Sequence, residues 1–251
     1  MFIPYGKQDV TESDIQAVVD VLRSDFLMQG KKVPEFEDKL SEAVNVDYAT
    51  LVNSATSALH IACLALNLSA GDIVWTVPNT FVATANCAIY CGAKVDFVDI
   101  DPRTYNISID CLKLKLEEAK LSGNLPKILI PVHLTGEPCD MRAISMLAKE
   151  YNFKIIEDAS HAIGARYMTN PIGACEYSDI TVFSFHPVKI ITSGEGGAVL
   201  TNSAKLNQKL KLLRSHGITR DKNLMSFPND NAWYYEQLDL GYNYRLTDIH
   251  A

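Results

Sequence analysis

Several things are missing from this chain of 251 residues, and each absence removes a class of function. Its six cysteines, Cys63, Cys87, Cys91, Cys111, Cys139 and Cys175, are scattered, and none pair as CxxC. That spacing offers neither a zinc site nor a disulfide framework, and free thiols point to a reducing compartment. No apolar run approaches the ~20 residues that a membrane-crossing helix needs. The opening, Met1-Phe-Ile-Pro-Tyr-Gly-Lys-Gln-Asp9, has no basic stretch leading into an apolar one, so no signal peptide is expected and the expected address is the cytoplasm. Positive charge is in deficit. A net charge of -7 argues against a surface that tracks nucleic-acid phosphates, although not against anion sites built from backbone N–H groups. No internal repeat and no low-complexity segment interrupts the chain.

What is present is ordinary globular material, 47% apolar and 21% charged. Thr11-Glu-Ser-Asp14 reads as a helix start, followed by Ile15, Val18, Val19 and Leu22 on one helical face. Phe26 to Gly30 reads as a loop, and a second helix is expected from about Pro34. Tyr48–Val52, Ile73–Val77, Lys94–Ile100, Lys127–Leu134 and Phe153–Glu157 read as strands separated by helical stretches. These strands are continuous apolar runs. That implies an α/β fold with a mostly parallel sheet covered by helices on both faces. Three parts are expected: a helical N-terminal segment over 1–45, a large domain over 46–205, and from 206–251 the start of a connection to a small C-terminal domain that this length does not contain.

Ligands of such sheets bind at the carboxyl ends of the strands. The residues expected there are Asn53 to Ser57, Pro78 to Phe81, His133 to Gly136 and Glu157 to His161. A further stretch runs Ile180 to Phe185 as a strand, turns at His186-Pro187, presents Lys189, and passes through Gly194-Glu-Gly-Gly197 before resuming as Ala198 to Thr201. A lysine between two apolar runs can be held partly desolvated, which lowers its pKa and frees the amine for attack on a carbonyl. A lone lysine at a sheet edge more often simply snorkels to water. Pyridoxal phosphate chemistry needs such a lysine, a carboxylate for the pyridine nitrogen, an anion cradle and an apolar wall for the ring. Lys189, Asp158, the Thr56/Ser57 helix start with Ser184, and Phe81 could supply them. Each also has a structural reading, as cap, strand hydroxyl or core, and on the residues alone another α/β enzyme is an equal alternative.

Five blocks narrow the choice. They are Asn53-Ser-Ala-Thr-Ser-Ala-Leu59, Glu157-Asp-Ala-Ser-His-Ala-Ile-Gly-Ala165, Ser184-Phe-His-Pro-Val-Lys189, Gly194-Glu-Gly-Gly197 and Gly241-Tyr-Asn-Tyr-Arg-Leu246. In this order they closely resemble the DegT/DnrJ/EryC1/StrS family of sugar aminotransferases. The resemblance implies the aspartate-aminotransferase fold (fold type I) and pyridoxal 5'-phosphate as cofactor. It implies that Lys189 is the Schiff-base lysine and that Asp158 pairs with the pyridinium nitrogen. His161 would sit by the cofactor's phenolic oxygen, Ala55, Thr56 and Ser184 would hold its phosphate, and Phe81 would stack on its ring. Asn243 would reach the cofactor of a second subunit in a homodimer. Tyr5 and the stretch Phe26, Leu27, Met28, Gln29 would meet the substrate. The opening Ile3-Pro-Tyr-Gly-Lys-Gln8 is similar to the branch that moves an amino group from L-glutamate to C4 of a UDP-4-keto-6-deoxy amino sugar, in pseudaminic acid or related surface-sugar biosynthesis.

Met28 and Lys31 depart from the family pattern, where Thr and Pro are expected, and both lie in the sugar-facing segment. Three competing readings are a sugar 3-dehydratase, a cysteine desulfurase and a non-catalytic binding module. The dehydratase branch carries histidine in place of Lys189. The desulfurase needs a cysteine beside that lysine, and none is there.

Overall fold

Most helices of the chain begin on a short polar side chain that takes a free backbone N–H. The computed structural model describes residues 3, 4, 6–227, 231 and 233–251. Helix α1 (Glu12–Leu22) starts with a capping box between Thr11 and Asp14. Helix α2 (Lys32–Val44) has no side-chain cap of its own at Lys31. Strand β1 (Tyr48–Val52) leads to α3 (Ala55–Ala65), capped by Ser54. Then come β2 (Ile73–Thr76), α4 (Val82–Tyr90) and β3 (Lys94–Phe97). Helix α5 (Ile109–Ser122) runs from a Ser108 cap to Gly123, whose φ of 72° ends it in the left-handed conformation that glycine adopts freely. Strand β4 (Ile128–Leu129) is followed by a 3-10 turn at Leu134–Gly136, then α6 (Met141–Tyr151) on an Asp140 cap. Strand β5 (Lys154–Asp158) precedes a small hairpin, β6 (Arg166–Tyr167) and β7 (Asn170–Pro171). Strands β8 (Ile180–Ser184) and β9 (Gly197–Thr201) lead into α7 (Ala204–Arg214), capped by Ser203. A second hairpin pairs β10 (Ile218–Thr219) with β11 (Glu236–Gln237).

Seven strands form one sheet in the order β1-β9-β8-β5-β4-β2-β3. The pairs from β8 to β3 are parallel, and β9 runs antiparallel to both of its neighbours. That one reversal matters for the site. It lets residues 185–196 join β8 to β9 at the carboxyl end of the sheet, with no crossover to the opposite end. Helices α3, α4 and α7 cover one face, packing on Val52, Ile130, Ile156, Val182 and Val199. The other face carries α5 and α6 over Trp75, Leu129 and Ile155, and α2 over Leu51, Phe183 and Leu200. The sheet is therefore buried on both sides, which is why its strands lack polar alternation.

Several expectations change. Strands β3 and β4 are shorter than their apolar runs, because Ile100 makes only an isolated bridge to Ile107 and the chain turns at Leu134. Helix α3 stops at Ala65 and does not reach Leu68, and α2 starts at Lys32, ahead of Pro34. The apolar stripe of α1 does not enter the core. Ile15 and Leu22 remain 47% and 55% exposed, and only Val21 is buried, because no described element covers that stripe. No described helix is long and apolar enough to cross a membrane.

Candidate active site

Strand alternation sends Asp158 and Ser184 to the same face of the sheet as Ile156 and Val182, beneath α3 and α4. Asp158 is only 4% exposed. A carboxylate at that depth requires donors, and it has them on both oxygens. The Thr84 hydroxyl donates to Oδ2 at 2.6 Å, and Ser160 donates to Oδ1 through its hydroxyl at 2.6 Å and its N–H at 3.2 Å. Neither donor is a cation.

The amine of Lys189 lies half-buried on the 185–196 loop. Burial lowers its pKa, and the charge of Asp158 acts in the opposite sense without cancelling the shift. His161 shares this field. Burial, then the charge of Lys189, hold its pKa below the ordinary value, while Asp158 opposes them. The Thr135 N–H donates to His161 Nδ1 at 3.3 Å, so the proton of the neutral ring is on Nε2. The turn that delivers Thr135 passes so close that a methyl on Gly136 would stand 2.8 Å from the His161 carbonyl oxygen, at a φ of 91°. Lys189, Asp158 and His161 are thus brought within electrostatic reach of one another.

The start of α3 forms the second half of the site. Ser57 is not available to a ligand, contrary to the expectation for the Thr56/Ser57 pair. Its N–H is taken by Ser54 Oγ at 3.1 Å and its hydroxyl by Asn53 Oδ1 at 2.7 Å. The N–H groups of Ala55 and Thr56 and the Thr56 hydroxyl have no partner among the described residues. Gly197 pairs with Ser184, and a methyl on it would stand 2.6 Å from the Ala55 nitrogen. The absent side chain lets β9 bring Ser184 alongside this open helix end. Free N–H groups, a helix N-terminus and hydroxyls suit a phosphate. With a lysine and a buried carboxylate on the same face, the residues present fit pyridoxal phosphate.

The other predicted residues are dispersed. Phe81 is the N-cap residue of α4 and 74% exposed, with no ring stacked on it among the described residues. Asn243 is exposed; its carbonyl accepts from Asn53 Nδ2 at 3.5 Å, and its backbone bridges to Ser215. Phe26, Leu27 and Met28 are exposed, and Gln29 takes a φ of 60°. Tyr5 lies outside the described residues. Two residues, Thr84 and Asp248, add to the candidates named from the sequence. Thr84 and Ser160 hold Asp158. Asp248, 1% exposed, accepts the N–H groups of Gly30 at 2.8 Å and Lys32 at 2.7 Å, and so caps α2. Ser160, two residues after an aspartate, is a recognisable local donor. Thr84 and Asp248 leave no comparable local mark.

A mostly parallel sheet, with a lysine on the loop after a strand and an anion-ready helix start at the carboxyl end, is the fold-type I architecture of pyridoxal-phosphate aminotransferases. The chain belongs to the DegT/DnrJ/EryC1/StrS aminotransferase family, whose model matches residues 8–251. It is 44% identical over 247 residues to the UDP-4-amino-4,6-dideoxy-N-acetyl-beta-L-altrosamine transaminase of Campylobacter jejuni, covering 98% of this chain and 61% of that protein. It is 39% identical over 222 residues to the GDP-perosamine synthase of Caulobacter vibrioides, covering 88% and 55%. Among solved structures it superposes on Helicobacter pylori PseC, an aminotransferase involved in pseudaminic acid biosynthesis, with a TM-score of 0.87, 33% identity, and coverage of 100% and 63%. It also superposes on Streptococcus pneumoniae Spr1654, solved in PLP and PMP forms, with a TM-score of 0.85 and 28% identity over 100% of this chain and 64% of that one. The chain therefore spans between 55% and 64% of the length of these relatives.

Proposed function

We propose that this protein transfers an amino group from L-glutamate to C4 of a UDP-4-keto-6-deoxy amino sugar, with pyridoxal 5'-phosphate as cofactor, in the cytoplasmic synthesis of pseudaminic acid or a related surface sugar. The observation that carries the reading is the convergence of Lys189, Asp158 and His161 beside the open start of α3. When bound, the cofactor supplies a carbonyl for amine exchange and a ring that withdraws electrons.

The chain's own residues supply the rest. The free N–H groups of Ala55 and Thr56, with the Ser184 hydroxyl, hold a phosphate. Asp158, oriented by Thr84 and Ser160, faces a protonated ring nitrogen. His161 offers its Nε2 proton to a phenolic oxygen, since Nδ1 is already engaged by Thr135. Lys189 carries an amine whose lowered pKa favours the neutral, nucleophilic form. The same amine then takes up and returns the proton on the donor's Cα. Phe81 provides an exposed ring at the mouth of the site, and Phe26 to Gln29, with Tyr5, meet the sugar nucleotide. Asn243 is exposed for contact with a second copy, and the active unit is a homodimer.

The test is a visible absorption spectrum of the chain with added pyridoxal phosphate, before and after L-glutamate. The expected result is a borohydride-reducible band that glutamate discharges, absent in Lys189→Ala. A band that persists in Lys189→Ala would remove that lysine from the chemistry. A wild-type band that ignores glutamate would favour a non-catalytic binding module. Mass-spectrometric assay of nucleotide keto-sugars then discriminates among acceptors, with UDP-linked and GDP-linked sugars as the first pair.

A further inference from the structure

Thr84 lies in the first turn of α4 and is fully buried. Its hydroxyl cannot reach water. One partner is Asp158 Oδ2 at 2.6 Å, and the other is the Thr80 hydroxyl at 2.8 Å. An ionised carboxylate only accepts, so Thr84 donates to Asp158, and its free lone pair accepts from Thr80. The order of donation is therefore fixed along the row Thr80, Thr84, Asp158. The row runs from a half-exposed residue before α4 down to a buried carboxylate. Each donor in such a chain polarises the next, which strengthens the last bond. The other oxygen of Asp158 is held from its own strand end by Ser160. Thr84 thus ties the carboxylate to a different element, α4.

We propose that Thr84 is a positioning residue: its hydroxyl, backed by Thr80, fixes the orientation of Asp158, and through it the protonation of the cofactor's ring nitrogen. This rests on the cofactor reading given above. A buried carboxylate that loses a charge-assisted donor can rotate, or can take a proton itself, and either change weakens its hold on a pyridinium.

The substitution that removes only the hydroxyl is Thr84→Val, which keeps the branched shape. Thr84→Ser restores the donor without the methyl group. Three quantities are measured on each: the dissociation constant of pyridoxal phosphate, the 15N chemical shift of ring-labelled cofactor, and the melting temperature of the cofactor-free chain. The expected result for Thr84→Val is roughly tenfold weaker cofactor binding and a 15N shift moved toward the unprotonated ring. The cofactor-free chain should still melt cooperatively, and Thr84→Ser should return both signals to near wild type. A wild-type 15N shift and affinity in Thr84→Val would overturn the proposal. So would equal losses in Thr84→Ser and Thr84→Val, because packing alone would then explain them. If the wild-type chain binds no pyridoxal phosphate, the cofactor reading falls and this proposal falls with it.

Discussion

Glu157 and Asp158 are neighbours on β5, each 4% exposed, yet they face opposite sides of the sheet and live in opposite kinds of surroundings. Glu157 points toward α6 and the β6–β7 hairpin. His133 Nε2 lies 2.8 Å from one of its oxygens, and the other accepts from the Thr181 and Ser178 hydroxyls. The Cys139 N–H donates to His133 Nδ1, which leaves Nε2 to carry the ring proton toward Glu157. Burial raises the Glu157 pKa, but the bonds from His133, Ser178 and Thr181 outweigh it and hold the carboxyl below its ordinary range. Glu157 thus accepts three hydrogen bonds, one of them shared with a buried imidazole. Asp158 has only small hydroxyl donors and one backbone N–H, and faces a half-buried amine. A carboxylate that faces a half-buried amine can serve a ligand, whereas one paired with a buried imidazole serves the fold.

That contrast predicts a crossed pattern under mutation. The largest effect is expected on activity from Asp158→Asn: amino transfer should fall by about a hundredfold or more, the equivalent of roughly 2.7 kcal/mol, with the melting temperature nearly unchanged. Stopped-flow measurement of the glutamate half-reaction checks the first part, and near-normal rates would erase the distinction between the two carboxylates. Glu157→Gln should do the reverse. An amide would turn donors toward donors in a sealed site, and about 3 kcal/mol of stability should be lost in denaturant titration. The rate per folded molecule should persist. The smallest effect separates them by pH. Glu157 has a folded-state pKa depressed below that of a free glutamate, so its contribution is present above the unfolded value and lost as pH falls through the folded pKa. Acid melting curves of wild type and Glu157→Gln should converge as pH falls through the depressed folded-state pKa, and parallel curves would show that the carboxylate is not what the pH acts on.

The two sides also differ in how legible they are. The continuous apolar strands made a covered α/β sheet readable, since a strand buried on both faces has no polar alternation. Asp158, Ser160, His161 and Lys189 could be picked out because each stands just past an apolar run, where strand ends meet ligands. Thr84 could not. A threonine inside a helix is unremarkable until the crossing of α4 over β5 shows where its hydroxyl points. The Ser57 reading failed because N-capping competes with ligand binding for the same N–H groups, and the winner depends on the Ser54 and Asn53 rotamers. The exposed stripe of α1 had the right period and no described partner, and periodicity reports a face without saying what covers it.

The Asp248 carboxylate accepts from Lys32, 216 positions earlier in the chain, and no nearer side chain caps α2. During synthesis, the turn from Phe26 to Lys32 must therefore wait for nearly the whole of this length to be made. A contact of that separation carries a large closure entropy and forms late. This segment, with Phe26, Leu27 and Met28 exposed, is thus fastened late, and for that interval it depends on the rest of the fold to keep it from sticking elsewhere.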